Sequence, residues 1–187
     1  MFQAFEAKKL TSNATFPSID QAIADGKLIE RDPIRSTLPT VRHLYVTPEI
    51  ADILDDADPE KGFPSVEATI ITDRYMIGHL MVVSFTAKTD PPKSWPDLER
   101  MENLDEVWVM CFRKPKPGWR LLGRFFAENH FVALRAYDRH ELQGNATYEA
   151  KAEEMIADWG VLFPGTDPHR ANAAEEYVTG LCHDVSK

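Results

Sequence analysis

Apolar residues recur at two different spacings along this chain, and the change of spacing divides it into elements. Over residues 106–114, 119–127 and 130–138 the pattern is one of alternating sides, as in a β-strand. The joints "KPKPG" and "AENH" are short enough for hairpins, so the three runs predict an antiparallel meander. Beyond Gly144 the spacing widens. Tyr148, Ala152, Met155, Ile156 and Trp159 share one helical face, with Asn145 as cap and Gly160 as stop. A last helix is expected from Pro168, with Ala174, Tyr177, Val178 and Leu181 inward.

The first half reads less regularly. Ser18 and Gln21 have the form of a capping box that opens a short helix ended by Gly26. "VRHLYV" (Val41 to Val46) predicts a strand, and Thr47 with Pro48 a helix carrying Ile50, Ile53 and Leu54 on one side. "VEATIITD" and "YMIGHLMVVSFTAKT" are β-branched and predict two strands, turning near Asp73 and Arg74. "DLERMEN" after Pro96 predicts a short helix. The fold class expected is α+β: one domain over residues 1–187, an antiparallel sheet packed against N- and C-terminal helices. Residues 101–142 are its meander and 145–187 its C-terminal helical segment.

Alternation assigns each meander residue a side. Trp108, Met110 and Phe112 oppose Val109, Cys111 and Arg113; Trp119, Leu121, Gly123 and Phe125 oppose Arg120, Leu122, Arg124 and Phe126. In the third run Val132, Leu134 and Ala136 oppose Phe131, Ala133, Arg135 and Tyr137. The wholly apolar side of each strand is the expected core side. A turn at Glu128 and Asn129 sets Arg120 across from Tyr137 and Leu122 across from Arg135; the loop Pro115 to Gly118 sets Arg113 across from Arg120. One face then carries Arg113, Arg120, Arg124 and Arg135, with Arg139 and His140 at the strand end.

Charge makes that face stand out. The 187 residues carry a net −9, yet residues 113–141 hold seven Lys/Arg against three Asp/Glu, leaving 14 basic and 27 acidic side chains elsewhere. An acidic total argues against a protein that coats nucleic acid. A local basic face argues for an anionic partner, because guanidinium groups side by side repel unless a carboxylate or phosphate lies between them. Two occupants fit: acidic residues of the protein's own "AKAEEMIAD" helix, with Glu149, Glu153 and Glu154 over the face, or an external anion. The expected phosphate- or anion-binding residues are Arg113, Arg120, Arg124, Arg135 and Arg139.

Other chemistries find little support. "DADPEKGFPSVE" places acids at four calcium-loop positions, but Lys61 stands where the sharp turn needs glycine, and a strand is expected to follow. The six histidines form no metal spacing, and His79 reads as a core or sheet residue. Phosphate-loop and serine-elbow motifs are absent. Cys111 falls on the arginine side but between apolar flanks, so a buried structural thiol is expected. Neither a metal nor a cofactor is expected. No apolar run reaches the roughly 18 residues of a membrane span, no secretion signal opens the chain, and two cysteines suit a reducing cytosol, so a cytoplasmic protein is expected.

Residues 101–142, "MENLDEVWVMCFRKPKPGWRLLGRFFAENHFVALRAYDRHEL", resemble the sheet of the RelE/ParE/HigB toxin superfamily. There a helix end leads to a strand, a "WR" strand, and a strand closing in a basic cluster. The resemblance implies a metal-independent mRNA endonuclease in the RelE and HigB branches, or a gyrase poison in the ParE branch. It implies Arg120 and Arg135 as phosphate clamps, and Tyr137 or His140 as the group that moves a proton, so Arg120, Tyr137 and His140 become the catalytic candidates. Alternatives are a non-enzymatic domain that docks an acidic protein segment and an enzyme acting on a small anionic metabolite, with a pocket between sheet and helices.

Overall fold

Helix α1 (Pro17–Ala24) and strand β1 (Ile29–Arg31) lead to β2 (His43–Val46), α2 (Pro48–Leu54), α3 (Ser65–Met76), β3 (Met81–Ser84) and β4 (Leu98–Arg100). The meander follows as β5 (Trp108–Phe112), β6 (Trp119–Ala127) and β7 (His130–Asp138). Then come α4 (Asn145–Leu162) and β8 (Cys182–Asp184). The computed structural model describes residues 16–35, 37–55, 62–86, 95–101, 103–180 and 182–186. The first half of the calcium-loop candidate, residues 56–61, lies outside these, as does Leu181.

The fold is α+β, but its sheet is mixed rather than antiparallel. Eight strands lie in the order β1-β2-β7-β6-β5-β4-β3-β8. Strands β4 to β7 form a four-stranded antiparallel meander, while β2 runs parallel to β7, and β3 runs parallel to both β4 and β8. Two of those parallel pairings, β2 with β7 and β3 with β8, join segments far apart in the chain, where no local turn announces them.

Both faces of the meander are buried. On one lie Trp108, Met110, Phe112, Leu121, Phe125 and Phe131, packed with Ile50 of α2, Ile71 and Tyr75 of α3, and Tyr177. On the other lie Val109, Cys111, Leu122, Val132, Leu134 and Tyr137, packed with Ile19 and Ala22 of α1 and with Ala152, Met155 and Trp159 of α4. Covering both faces requires apolar residues at consecutive positions, and all five residues of β5 are buried. Each large side chain so buried contributes roughly 1.5–3 kcal/mol, which fixes α4 over the strands that carry the arginines.

Register in the meander is as expected at one joint and shifted at the other. Arg120 pairs with Tyr137 and Leu122 with Arg135. Arg120 pairs with Cys111 on β5, however, so Arg113 lies past the strand end and not across from Arg120. One step further, Gly123 pairs with Ala133, which leaves Leu134 as the extra residue of a bulge. The bulge reverses parity along β7. Phe131 and Ala133 therefore enter the first core, and Val132 and Leu134 enter the second, opposite to plain alternation. Glycine at 123 permits the close approach: a Cβ there would sit 2.2 Å from the Val132 carbonyl oxygen.

Several elements differ from the sequence reading. The β-branched run "VEATIITD" is helical, in α3, and Asp73 and Arg74 lie inside that helix rather than in a hairpin turn. Its buried Ala68, Ile71, Thr72, Tyr75 and Met76 keep helical spacing, and packing overrides β-propensity. A helix, not a strand, thus follows the calcium-loop candidate. "LER" is strand β4, held between β3 and β5, where a short helix was expected. Phe16, not Ser18, caps α1, and Pro17 takes the first helical position. Gly144 is the N-cap of α4, and the helix runs through Gly160 to Leu162. The expected last helix is a loop with one 3-10 turn (Ala174–Glu176) and then β8, although Ala174, Tyr177 and Val178 do point inward. Thr47 caps α2 as expected, its hydroxyl accepting from the Ile50 N–H at 3.4 Å. Among the described residues no helix is long and apolar enough to cross a membrane.

Candidate functional site

The arginine face is covered, and most of its members are already engaged. Arg135 donates to both oxygens of Asp158 on α4, at 2.5 Å and 3.1 Å. Arg124, only 3% exposed, is held by the backbone carbonyl and carboxylate of Asp105, which Arg170 also contacts at 2.5 Å. The Tyr137 hydroxyl donates to Glu154 at 3.3 Å, and burial pushes its phenol up to about 12. His140 is exposed on a 3-10 turn (Arg139–Leu142) that Asp138 caps through the His140 N–H. The acidic helix residues meeting the face are Glu154 and Asp158, while Glu149 sits nearer the helix start.

Three of the five arginines meet elsewhere. Arg113, Arg120 and Arg139 line one cleft of about 380 Å³, with Trp95, Glu99, Met101, Asn103, Asn145, Tyr148 and Glu149. That size lies within the range of roughly 300–1,000 Å³ for small-molecule pockets. The cleft is built where β4, β6 and the ends of β5 and β7 face the first turns of α4. Sheet order sets the sequence of groups across it: Arg139 follows β7, Arg120 is on β6, Arg113 follows β5, and Glu99 is on β4.

The three guanidinium groups differ in how their charge is offset. Arg113 donates to Glu99 at 2.7 Å and to the Pro96 carbonyl at 2.8 Å, and its plane lies 5.2 Å from the Trp95 ring centre. Arg120, 8% exposed, donates through Nη1 to the carbonyls of Trp119 at 2.9 Å and Phe112 at 3.3 Å. Those carbonyls orient its fork but carry no net charge, and no carboxylate among the described residues pairs with it. Arg139 is held by the Leu142 carbonyl and lies 5.9 Å from the Tyr148 ring centre, again with no carboxylate partner among the described residues. Gly144, at φ 81°, is the N-cap of α4 and brings no side chain to cap its first turn. Burial pushes the Tyr148 phenol above its ordinary value, which keeps it a hydrogen-bond donor.

Cys111 lies on the strand beside Arg120. Burial, with Glu99 nearby, pushes its thiol up to about 12, so it is inert packing rather than a nucleophile.

A second group of polar residues went unnoticed in the sequence because its members are distant in the chain. The parallel pairing of β2 with β7 sets His43 beside His130, their rings stacked 4.4 Å apart. His43 Nδ1 contacts Glu30 at 2.6 Å, and His130 Nδ1 contacts the Tyr45 hydroxyl at 3.0 Å. Burial, then His43, lowers His130 to about 4. His79 is not a core residue: it is exposed in the turn after α3, and its carbonyl accepts from Arg42 at 2.9 Å. Among the described residues no three His, Cys, Asp or Glu side chains are grouped as a metal site.

Fold and site together define an α+β protein with a mixed eight-stranded sheet and an arginine-lined cleft between the sheet and its long helix. No protein-family model, curated protein or solved structure matches the chain.

Proposed function

We propose that the protein binds a small anion-bearing ligand, a phosphate ester or a carboxylate, in this cleft, with Arg120 and Arg139 as its anchors. The observation that carries the reading is Arg120. A guanidinium that is 8% exposed and has no carboxylate partner among the described residues costs several kcal/mol to hold, and an anion in the cleft offsets that cost. Arg139 supplies a second guanidinium lining the same cleft.

The mRNA-endonuclease reading calls for Arg120, Arg124, Arg135 and Tyr137 along one open cleft. Among the described residues Arg124, Arg135 and Tyr137 are each engaged by Asp105, Asp158 or Glu154, and the cleft offers Arg120 with Arg139 instead. The small-ligand reading uses the groups that remain.

Binding of inorganic phosphate, followed by thermal unfolding at low ionic strength, tests the proposal. Saturable stabilisation of wild type is expected, since a ligand at 100 times its Kd adds about 2.7 kcal/mol. Arg139→Ala, at a partly exposed position that disturbs packing little, should abolish most of it. Equal response of wild type and Arg139→Ala, or none at tens of millimolar phosphate, overturns the proposal.

A further inference from the structure

We infer that the cleft selects a phosphate monoester, held as its dianion by Arg120, Arg139 and the Tyr148 hydroxyl, over a carboxylate. This inference rests on the anion-binding reading and narrows its ligand class.

The cleft offers more donors than a carboxylate can take up. Arg120 spends Nη1 on the carbonyls of Trp119 and Phe112, and Arg139 spends Nη1 on that of Leu142. Nε and Nη2 of both side chains have no hydrogen-bond partner among the described residues. Those two nitrogens form the edge with which a guanidinium grips an anion through two parallel bonds. Tyr148 lines the same cleft, and its hydroxyl likewise meets no acceptor among the described residues.

Tyr148 is tied to the arginine pair by more than a shared cleft. The Arg139 guanidinium lies 5.9 Å from its ring centre. Arg120 and Arg139 both act electrostatically on its phenol, which places the hydroxyl within reach of both charges. Burial is the larger effect and holds the proton in place, so the group donates.

Shape and charge then separate the candidate anions. A carboxylate has two oxygens and one charge. It would leave one guanidinium without a counter-charge and Tyr148 without an oxygen of its own. A phosphate monoester has three terminal oxygens in a tetrahedron and carries roughly −1.5 to −2 charge at pH 7. It matches two guanidinium groups and meets donors that arrive from β6, from the end of β7 and from α4. A phosphodiester keeps two terminal oxygens and one charge, so a nucleic-acid backbone falls short as a carboxylate does.

The carboxylates of the cleft do not cancel the pair. Glu99 is bonded to Arg113 at 2.7 Å. Glu149 is exposed to solvent, which screens it, and forms no ion pair among the described residues.

The test is calorimetric titration of the full chain with methyl phosphate, dimethyl phosphate, acetate and sulfate. Methyl phosphate at neutral pH is expected to bind at least tenfold more tightly than acetate or dimethyl phosphate, and sulfate comparably to methyl phosphate. Tyr148→Phe, which keeps the ring, should weaken methyl phosphate about tenfold, as for loss of one hydrogen bond to a charged group, and leave acetate unchanged. Arg139→Ala should weaken every anion. Lowering the pH to about 5 should weaken methyl phosphate several-fold relative to sulfate, because the monoester gains its second proton near pH 6. Sulfate stays dianionic and so reports changes in the protein's own groups, among them Glu99, Glu149 and the neighbouring His140. Acetate or dimethyl phosphate binding as tightly as methyl phosphate overturns the monoester inference and leaves the anion reading standing. So does a ratio to sulfate that does not change with pH, or a folded Tyr148→Phe that binds methyl phosphate as wild type does. Failure of all four anions to bind overturns both.

Discussion

Arg135 and Asp158 make a two-point pair, Nε to Oδ2 at 2.5 Å and Nη2 to Oδ1 at 3.1 Å, that ties β7 to α4. Its charge is thereby spent within the molecule. Both side chains are 38% exposed, so solvent screens the attraction. Combining Arg135→Ala and Asp158→Ala in a double-mutant cycle on urea unfolding should give a coupling of about 0.5–1 kcal/mol that shrinks in high salt. A coupling above 3 kcal/mol would contradict the screened geometry.

Glu106 is a different case because it is buried. Its carboxylate accepts from Arg100 at 2.8 Å and from the Tyr177 hydroxyl at 2.6 Å; the Tyr177 ring packs on Trp108 and the Arg100 guanidinium lies over Phe85. Removing it leaves the Arg100 charge without its partner. Glu106→Ala should cost about 3–5 kcal/mol in denaturant unfolding, and Tyr177→Phe about 1–3 kcal/mol. If Glu106→Ala proved as mild as Tyr177→Phe, the ion pair would not be the member that holds this corner.

The stacked histidines predict acid sensitivity. His130 is held near 4, below the ordinary 6.5, mainly by burial and then by His43, against an opposing pull from Glu30. The unfolded chain therefore takes up this proton first as pH falls. The stability contributed by neutral His130 is complete above about pH 6.5 and is lost progressively down to pH 4. The loss should be on the order of 2–3 kcal/mol. Urea midpoints at pH 7.5 and 4.5 read it directly. His130→Gln, which keeps an acceptor for the Tyr45 hydroxyl, should flatten the dependence; an unchanged slope in that variant would place the sensitivity elsewhere.

Alternation alone located the three long meander strands, and a short turn was enough to pair Arg120 with Tyr137 and Leu122 with Arg135. The same reasoning failed where one residue was added to the ladder. The bulge beside Gly123 moves Val132 and Leu134 across the sheet, and pattern counting has no term for it. A signal for the second covered face was present: Val109, Cys111, Leu122 and Phe126 are apolar on the side assumed to be open. In α3, β-branched residues misled, although Ala68, Ile71, Thr72 and Tyr75 already stood at helical spacing.

By itself the sequence determined the local period of its longest elements, the cap of α2, the inner face of α4 and the concentration of arginines on the meander, because each depends on residues close along the chain. Which arginines meet a carboxylate among the described residues was decided only by the tertiary structure. Asp158, Asp105 and Glu99 reach Arg135, Arg124 and Arg113 across 14 to 23 residues of chain, whereas Arg120 and Arg139 meet carbonyls and rings. Trp95 and Tyr148 join them from opposite ends of the meander. Charge pairing acts over a few ångströms of space, and only the packing of α4 and β4 against the arginine strands sets those distances.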